Sequence, residues 1–232
     1  MEPKKAIIFD KDGTLFDFGA SWGPWAEAVL SEIEALVPGV SKDVAQAFGF
    51  DRAKGVFAPE SVVIAGTSED AVAAIEALVP GNVDLLAILD RHAKNVQQEP
   101  VFGLLETLSD LARDFILGLV TNDGEVAARA HLGKHEISDH FSFIAGYDSG
   151  FGSKPKPGQL LAFCEATGVP SANCVMVGDS LHDLVAGRAA GMATVGVLTG
   201  IADVNELSPK ADIVMPDIRG LREWLSDPAL TF

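Results

Sequence analysis

The stretch Ala6-Ile-Ile-Phe-Asp10-Lys-Asp-Gly-Thr-Leu15 decides how the rest of the chain is read. A short apolar run rich in branched residues ends abruptly in an acidic, glycine-containing turn. Continuous apolar runs of this length suit a strand buried on both faces, as in a parallel sheet. The runs Phe115 to Val120, Phe141 to Ala145, Cys174 to Val177 and Ala193 to Leu198 have the same character, and Asp212 to Met215 is a weaker one. Helical patterns lie between them, over Val126 to Leu132, Gln159 to Thr167 and Ser180 to Ala190. Pro157 opens the second of these, while Gly168 and Gly191 stop the second and third, the expected placement of proline and glycine. Strands alternating with helices predict an α/β fold: a parallel sheet with helices on both faces and right-handed crossovers.

From about Asp17 to Pro100 the pattern changes. Trp22, Trp25, Val29, Ile33 and Leu36 recur at helical spacing. Thr67-Ser68-Glu69-Asp70 has the form of a capping box, followed by Val72, Ile75 and Val79, with Pro80-Gly81 as the stop. Leu85, Leu89, Ala93 and Val96 make a further apolar stripe. The expected organisation is an α/β core from residues 1–16 and 101–232, interrupted after its first strand by an all-helical domain at 17–100. The chain passes between the two at Phe16 to Ser21 and at Glu99 to Gly103.

The 232 residues include 17 Lys and Arg against 33 Asp and Glu, a net charge of −16. Such a chain repels phosphate backbones at long range, which excludes nucleic acid as the expected partner. Cys164 and Cys174 have no zinc-type spacing and read as thiols of a reducing compartment. Met1 to Lys5 lead straight into the first apolar run with no signal-peptide core. No apolar stretch reaches membrane-spanning length. The expectation is a cytoplasmic enzyme, monomeric or homodimeric, with no membrane partner.

Ligands of open α/β sheets bind at the carboxyl ends of the strands. Asp10 and Asp12 follow the first run, and Thr121 and Asn122 the second. Gly178 and Asp179 follow the Cys174 run, with Asp183 one turn into the next helix. Lys154 lies beyond the Phe141 run in Gly-Ser-Lys-Pro-Lys-Pro. Carboxylates gathered this way repel one another unless a cation lies among them, and oxygen-only ligands select a hard ion such as Mg²⁺. Gly13 permits the bend that lets residues at i and i+2 serve one site.

These residues carry a resemblance. Asp10-Lys-Asp-Gly-Thr-Leu, Thr121-Asn122, Lys154-Pro and Gly178-Asp-Ser-Leu-His-Asp183 resemble the four ordered motifs of the haloacid dehalogenase superfamily, and most of all its phosphoglycolate phosphatase-like group. The resemblance covers essentially the whole chain. It implies a Rossmann-like core with an inserted helical cap in the first position. The implied activity is Mg²⁺-dependent hydrolysis of a small-molecule phosphate monoester through an aspartyl-phosphate. Asp10 is then the nucleophile and Asp12 the acid and base. Thr121, with Asn122 and Gly13, contacts the phosphoryl oxygens, and Lys154 neutralises charge. Asp10, the carbonyl of Asp12 and Asp179 hold the metal, with Asp183 supporting them. Phe18 stands where the family often has a small polar residue, which bears on the angle at which the cap leaves the core.

Other readings compete at individual residues. A calcium loop aligned on Gly13 would need acidic residues where Ile8 and Gly19 stand. Asp183 fits a capping box with Ser180, a role compatible with the metal role. His182 reads as a solvated helix residue, and the remaining histidines form no ligand set. Trp22, Trp25 and Trp224 read as packing anchors, with Trp22 ambiguous because it lies near the first motif. Arg52 and Lys54 are the cap candidates for a substrate carboxylate, or are simply exposed. A dehalogenase lacks the second aspartate, so Asp12 argues against it. A phosphonate hydrolase needs a cap lysine for a Schiff base (Lys42, Lys54 or Lys94), and a sugar-phosphate mutase would share the core. A phosphate-binding regulatory protein without turnover is the alternative outside enzymes.

Overall fold

The computed structural model describes residues 5–226, so the outermost residues of the expected core lie outside the described residues. Six strands form one parallel sheet: β1 (Ala6–Phe9), β4 (Ile116–Val120), β5 (Phe141–Ala145), β6 (Cys174–Gly178), β7 (Ala193–Val197) and β8 (Ile213–Met215). Their order is β5-β4-β1-β6-β7-β8. The apolar runs of the sequence account for all six, because strands covered on both faces leave no room for polar alternation.

Each face of the sheet has its own core. On one, Ile7, Phe9, Leu117, Leu119, Val175 and Val177 pack with Leu108 and Leu132 from flanking helices. On the other, Ala6, Ile8, Val120 and Met176 pack with Leu160 and Phe163 of helix Gly158–Thr167. That helix begins after Pro157 and ends at Gly168, whose φ of 71° is the left-handed conformation glycine adopts without strain.

Between β1 and helix Leu104–Leu111 the chain leaves the sheet. Helices Phe18–Leu36, Ser41–Ala47, Val62–Ala65, Ser68–Ile75 and Leu85–Asn95 close around a separate apolar cluster that includes Trp25, Val29, Ile33, Phe48, Ile75 and Leu89. The capping box at Thr67 and Asp70 forms, with both reciprocal hydrogen bonds. Leu36, expected on the buried stripe, is 54% exposed because it occupies the last turn, beyond the packed stretch. The insert is not purely helical. A two-stranded antiparallel hairpin, β2 (Phe50–Asp51) and β3 (Val56–Phe57), crosses it, too short to leave a periodic signal in the sequence.

The two crossings run side by side. Asp17 N–H donates to Glu99 O at 2.8 Å and Val101 N–H to Leu15 O at 3.0 Å. Asp17 also caps helix Phe18–Leu36 by accepting from Ala20 N–H at 2.8 Å.

Gly118 in β4 illustrates how closely the second core is packed. A Cβ there would lie 2.5 Å from Phe163 Cδ2. Gly118→Ala should therefore lower the unfolding free energy by about 1–3 kcal/mol through overpacking, read as a shift of the urea midpoint.

Candidate active site

β1 sits between β4 and β6, where the strand order reverses, so the loops leaving its carboxyl end diverge and open a crevice. Asp10 stands at that end, its N–H donating to Val177 O at 2.9 Å. Thr121 follows β4, Asp179 follows β6, and Lys154 arrives from the loop after β5. All four are buried.

The Lys154 ammonium joins these strand ends. Its Nζ lies 2.5 Å from Asp10 Oδ1, 2.6 Å from Asp183 Oδ1 and 3.2 Å from Val120 O, so its three donors each meet an oxygen. Asp183 serves two roles. Its Oδ2 accepts from Ser180 N–H at 3.0 Å and Ser180 Oγ at 2.7 Å, completing the helix cap, while Oδ1 faces Lys154. Carboxylate oxygens of Asp10, Asp179 and Asp183 lie within 4.8 Å of one another. Two glycines make this gathering possible: a Cβ on Gly13 would come within 2.3 Å of Asp179 Oδ2, and one on Gly200 within 1.7 Å. Gly13 has a φ of 81°, and its carbonyl accepts from Thr199 Oγ1 at 2.6 Å.

Burial pushes Asp10 up to about 7 against the pull of Lys154, and burial with the charges of Asp10 and Asp183 holds Asp179 well above the usual carboxylate range. Three carboxylates share one ammonium, and an oxygen-only donor set of that net charge fits a hard dication such as Mg²⁺.

A second buried ion cluster adjoins the first, built largely from residues the sequence reading passed over. Lys11, fully buried, pairs with Asp12 Oδ2 at 2.8 Å and Asp123 Oδ2 at 3.0 Å, and reaches His131 Nδ1 at 3.0 Å. His131 Nε2 faces Ala93 O at 2.9 Å, which places its proton on Nε2 and leaves Nδ1 as the acceptor for Lys11. The other oxygen of Asp12, Oδ1, accepts from Trp22 Nε1 at 2.9 Å and Gln98 Nε2 at 3.1 Å. Burial opposes the charge on Asp12, yet Lys11 holds its pKa below the usual value. Lys11 does so because it faces Asp12 rather than solvent.

Other expected residues divide. Thr121 lines the cavity, its Oγ1 accepting from Asp123 N–H at 3.0 Å. Asn122 also lines it, but its amide is occupied by backbone: Oδ1 accepts from Lys154 N–H at 2.9 Å, and Nδ2 donates to Lys154 O at 2.9 Å and Ala65 O at 2.8 Å. It holds the Lys154 loop to β4 and to the insert. Arg52 and Lys54 do not line the cavity. Both are exposed and paired locally, Arg52 with Glu27 at 2.6 Å and Lys54 with Asp51 at 3.2 Å. Trp22 packs as an anchor and also donates into the site, and His182 borders the cavity. Nothing in the sequence marks Lys11, Gln98, Asp123 or His131. Their partners lie up to 120 positions away.

The comparisons with known proteins agree with this geometry. The haloacid dehalogenase-like hydrolase family matches residues 4–191. The chain belongs to that family. A phosphoglycolate phosphatase of Neisseria meningitidis is 32% identical over 222 residues, covering 94% of this chain and 89% of the relative. The crystal structure of an HAD phosphatase from Thermococcus onnurineus superposes with a TM-score of 0.64 at 22% identity, covering 96% of this chain and 98% of that one. The L-2-haloacid dehalogenase of Xanthobacter autotrophicus gives 0.64 at 17% identity, over 97% and 100% of the two chains. The same fold thus occurs in proteins named for different reactions. No helix of the described residues is long and apolar enough to cross a membrane.

Two predictions follow from the second cluster. Lys11→Met leaves Asp12 and Asp123 buried without their cation, and should cost about 3–5 kcal/mol of unfolding free energy in urea melts. Adding Asp123→Asn should recover part of that loss. Burial and the charge of Lys11 hold His131 down to about 4, against the attraction of Asp12 and with a further push from Lys134. The unfolded chain protonates this histidine near 6.5. Its neutral form therefore contributes stability fully above about 6.5, and that contribution is lost as pH falls toward 4, by on the order of 3 kcal/mol. His131→Gln should flatten this part of the stability profile, measured as urea midpoints against pH.

Proposed function

We propose that this chain is a Mg²⁺-dependent phosphatase of small phosphate monoesters, working through an aspartyl-phosphate on Asp10. The observation that carries the reading is Asp10 itself, a buried carboxylate at the strand-order reversal, with the Lys154 ammonium 2.5 Å away and Asp179 beside it. Phosphoglycolate phosphatases among the relatives support the reaction class. The cavity over Asp10 has a volume of about 60 Å³. At about 10–15 Å³ per water it has room for a handful of waters, which suits a phosphoryl group with a small substituent.

Phosphate-monoester hydrolysis needs up to ~10²¹-fold acceleration, and a covalent intermediate divides that barrier. One oxygen of Asp10 attacks phosphorus while the ester oxygen leaves with its bonding electrons, giving a mixed anhydride and an alcohol. Asp12, which also lines the cavity, acts here in its protonated form, giving its proton to that oxygen and becoming the carboxylate. Water then attacks the phosphorus of the anhydride as Asp12 takes a proton from it, releasing phosphate and restoring the Asp10 carboxylate. Lys11, Trp22 and Gln98 hold the Asp12 carboxylate in one orientation and favour its ionised form. That form serves the second half-reaction directly. Lys154 and the Thr121 hydroxyl stabilise charge on the phosphoryl oxygens. Asp10, Asp179 and the Asp12 carbonyl would hold Mg²⁺, with Asp183 fixed behind them by Ser180 and Lys154. When bound, the ion supplies electrostatic neutralisation of the transferring group. In this reading residues 17–100 form the cap that excludes water and selects the leaving group.

The phosphonate-hydrolase alternative loses its support, because the one lysine among the cavity-lining residues is Lys154, already saturated by oxygens. A mutase would reveal itself by isomer formation in place of free phosphate.

The test is phosphate release from a panel of small monoesters with MgCl₂. Turnover should vanish with excess EDTA and return with Mg²⁺. Asp10→Asn, checked for folding by circular dichroism, should lose at least ~10³-fold in kcat. Turnover that survives both treatments would overturn the reading.

A further inference from the structure

We infer that the leaving group this site accepts is an uncharged, largely apolar alcohol rather than the carboxylate-bearing glycolate for which the relatives are named. The inference rests on the phosphatase reading above and concerns the wall opposite Asp10.

That wall comes from the insert. Phe18, Trp22 and Leu89 form its buried part, and Val63 and Ile64, half-buried against the insert's apolar cluster, complete it. Val63 and Ile64 belong to the short helix Val62–Ala65, an apolar segment none of whose residues is buried. Half-exposed apolar side chains lining a cavity lose exposed surface when an apolar group lands on them, and gain nothing from a charged one.

The side-chain hydroxyls and the amide beside this wall are already engaged. Thr67 Oγ1 donates to Asp70 Oδ2 at 2.8 Å and accepts from Asp70 N–H at 3.1 Å. The Ser68 hydroxyl is shared with Asp90 and Tyr147. Asn122 Nδ2 donates to Ala65 O and Lys154 O. Five aspartates (10, 12, 123, 179 and 183) line the cavity against one lysine and one histidine, His182, and the lysine is held by Asp10 and Asp183. Arg52 and Lys54, the insert's candidates for a carboxylate, are paired elsewhere on the surface. A second negative charge on the substrate would enter a cavity whose neighbouring cations, Lys11 and Lys154, are already paired with its carboxylates, and would meet an apolar wall. A desolvated carboxylate without a partner is costly.

The experiment compares n-propyl phosphate with 2-phosphoglycolate, esters of similar length that differ in the terminal group, with Mg²⁺ and the full-length chain. The expected kcat/KM for n-propyl phosphate is at least ~10-fold higher, about 1.4 kcal/mol of differential transition-state binding. Ile64→Lys places an ammonium at the wall and should shift the ratio at least ~10-fold toward phosphoglycolate, with Val63→Lys as the second variant if the first does not fold. Phosphoglycolate turned over as well as or better than n-propyl phosphate overturns the inference and leaves the phosphatase reading standing. So does a ratio unmoved by both folded lysine variants. No phosphate from either ester, or from any other monoester, overturns both.

Discussion

Three strand ends of a parallel sheet bring carboxylates to one place, and those carboxylates repel each other. The Lys154 ammonium is the interaction that makes the arrangement tolerable. It lies between Asp10 and Asp183, drawing together the loop after β5, the end of β1 and the start of the helix after β6. Buried charges of this kind contribute little net stability, because desolvation offsets most of the Coulomb attraction. What they supply is a fixed geometry. Asp183 is held at both oxygens, and Asn122 binds the Lys154 backbone from both sides, so the ammonium cannot drift. The remaining negative charge, centred on Asp10 and Asp179, is the feature a dication would complement.

The Lys11 cluster extends the same logic from the core into the insert. Asp12 belongs to the β1 loop, Asp123 and His131 to the region after β4, and Trp22, Ala93 and Gln98 to the insert and its return crossing. The orientation of Asp12 therefore depends on contacts from both sides of the boundary. Any movement of the insert away from the sheet would break the bonds from Trp22 and Gln98 and leave Asp12 to Lys11 alone. The position of the insert and the orientation of the Asp12 carboxylate are thus linked through two side chains.

Selectivity is a separate matter from the shared chemistry. One half of the cavity is assembled from strand ends, and the other from insert side chains with a different composition. The same fold carries differently named reactions in other proteins. Here the second half is apolar and aromatic, its hydroxyls already bonded within the insert.

The six sheet strands, the helical insert and the set Asp10, Asp12, Thr121, Lys154, Asp179 and Asp183 are legible in the sequence because each depends on local pattern. Double-sided burial forces unbroken apolar runs, and the polar residue just after such a run must lie at the sheet's edge. The β2–β3 hairpin escapes notice because two-residue strands have no period to detect. The roles of Lys11, Gln98 and His131 escape for a different reason. A lysine between two aspartates has the same spelling whether it faces water or is buried, and only the packing of helix Glu125–Lys134 against the insert makes it the partner of His131, 120 residues away. The same holds for Arg52 and Lys54, whose charges suggest a substrate contact until the fold turns them outward to Glu27 and Asp51. The chain's local order determined where the reacting groups stand. The tertiary structure alone decided which charges they face, because Coulomb energy depends on distance and burial, neither of which a linear sequence contains.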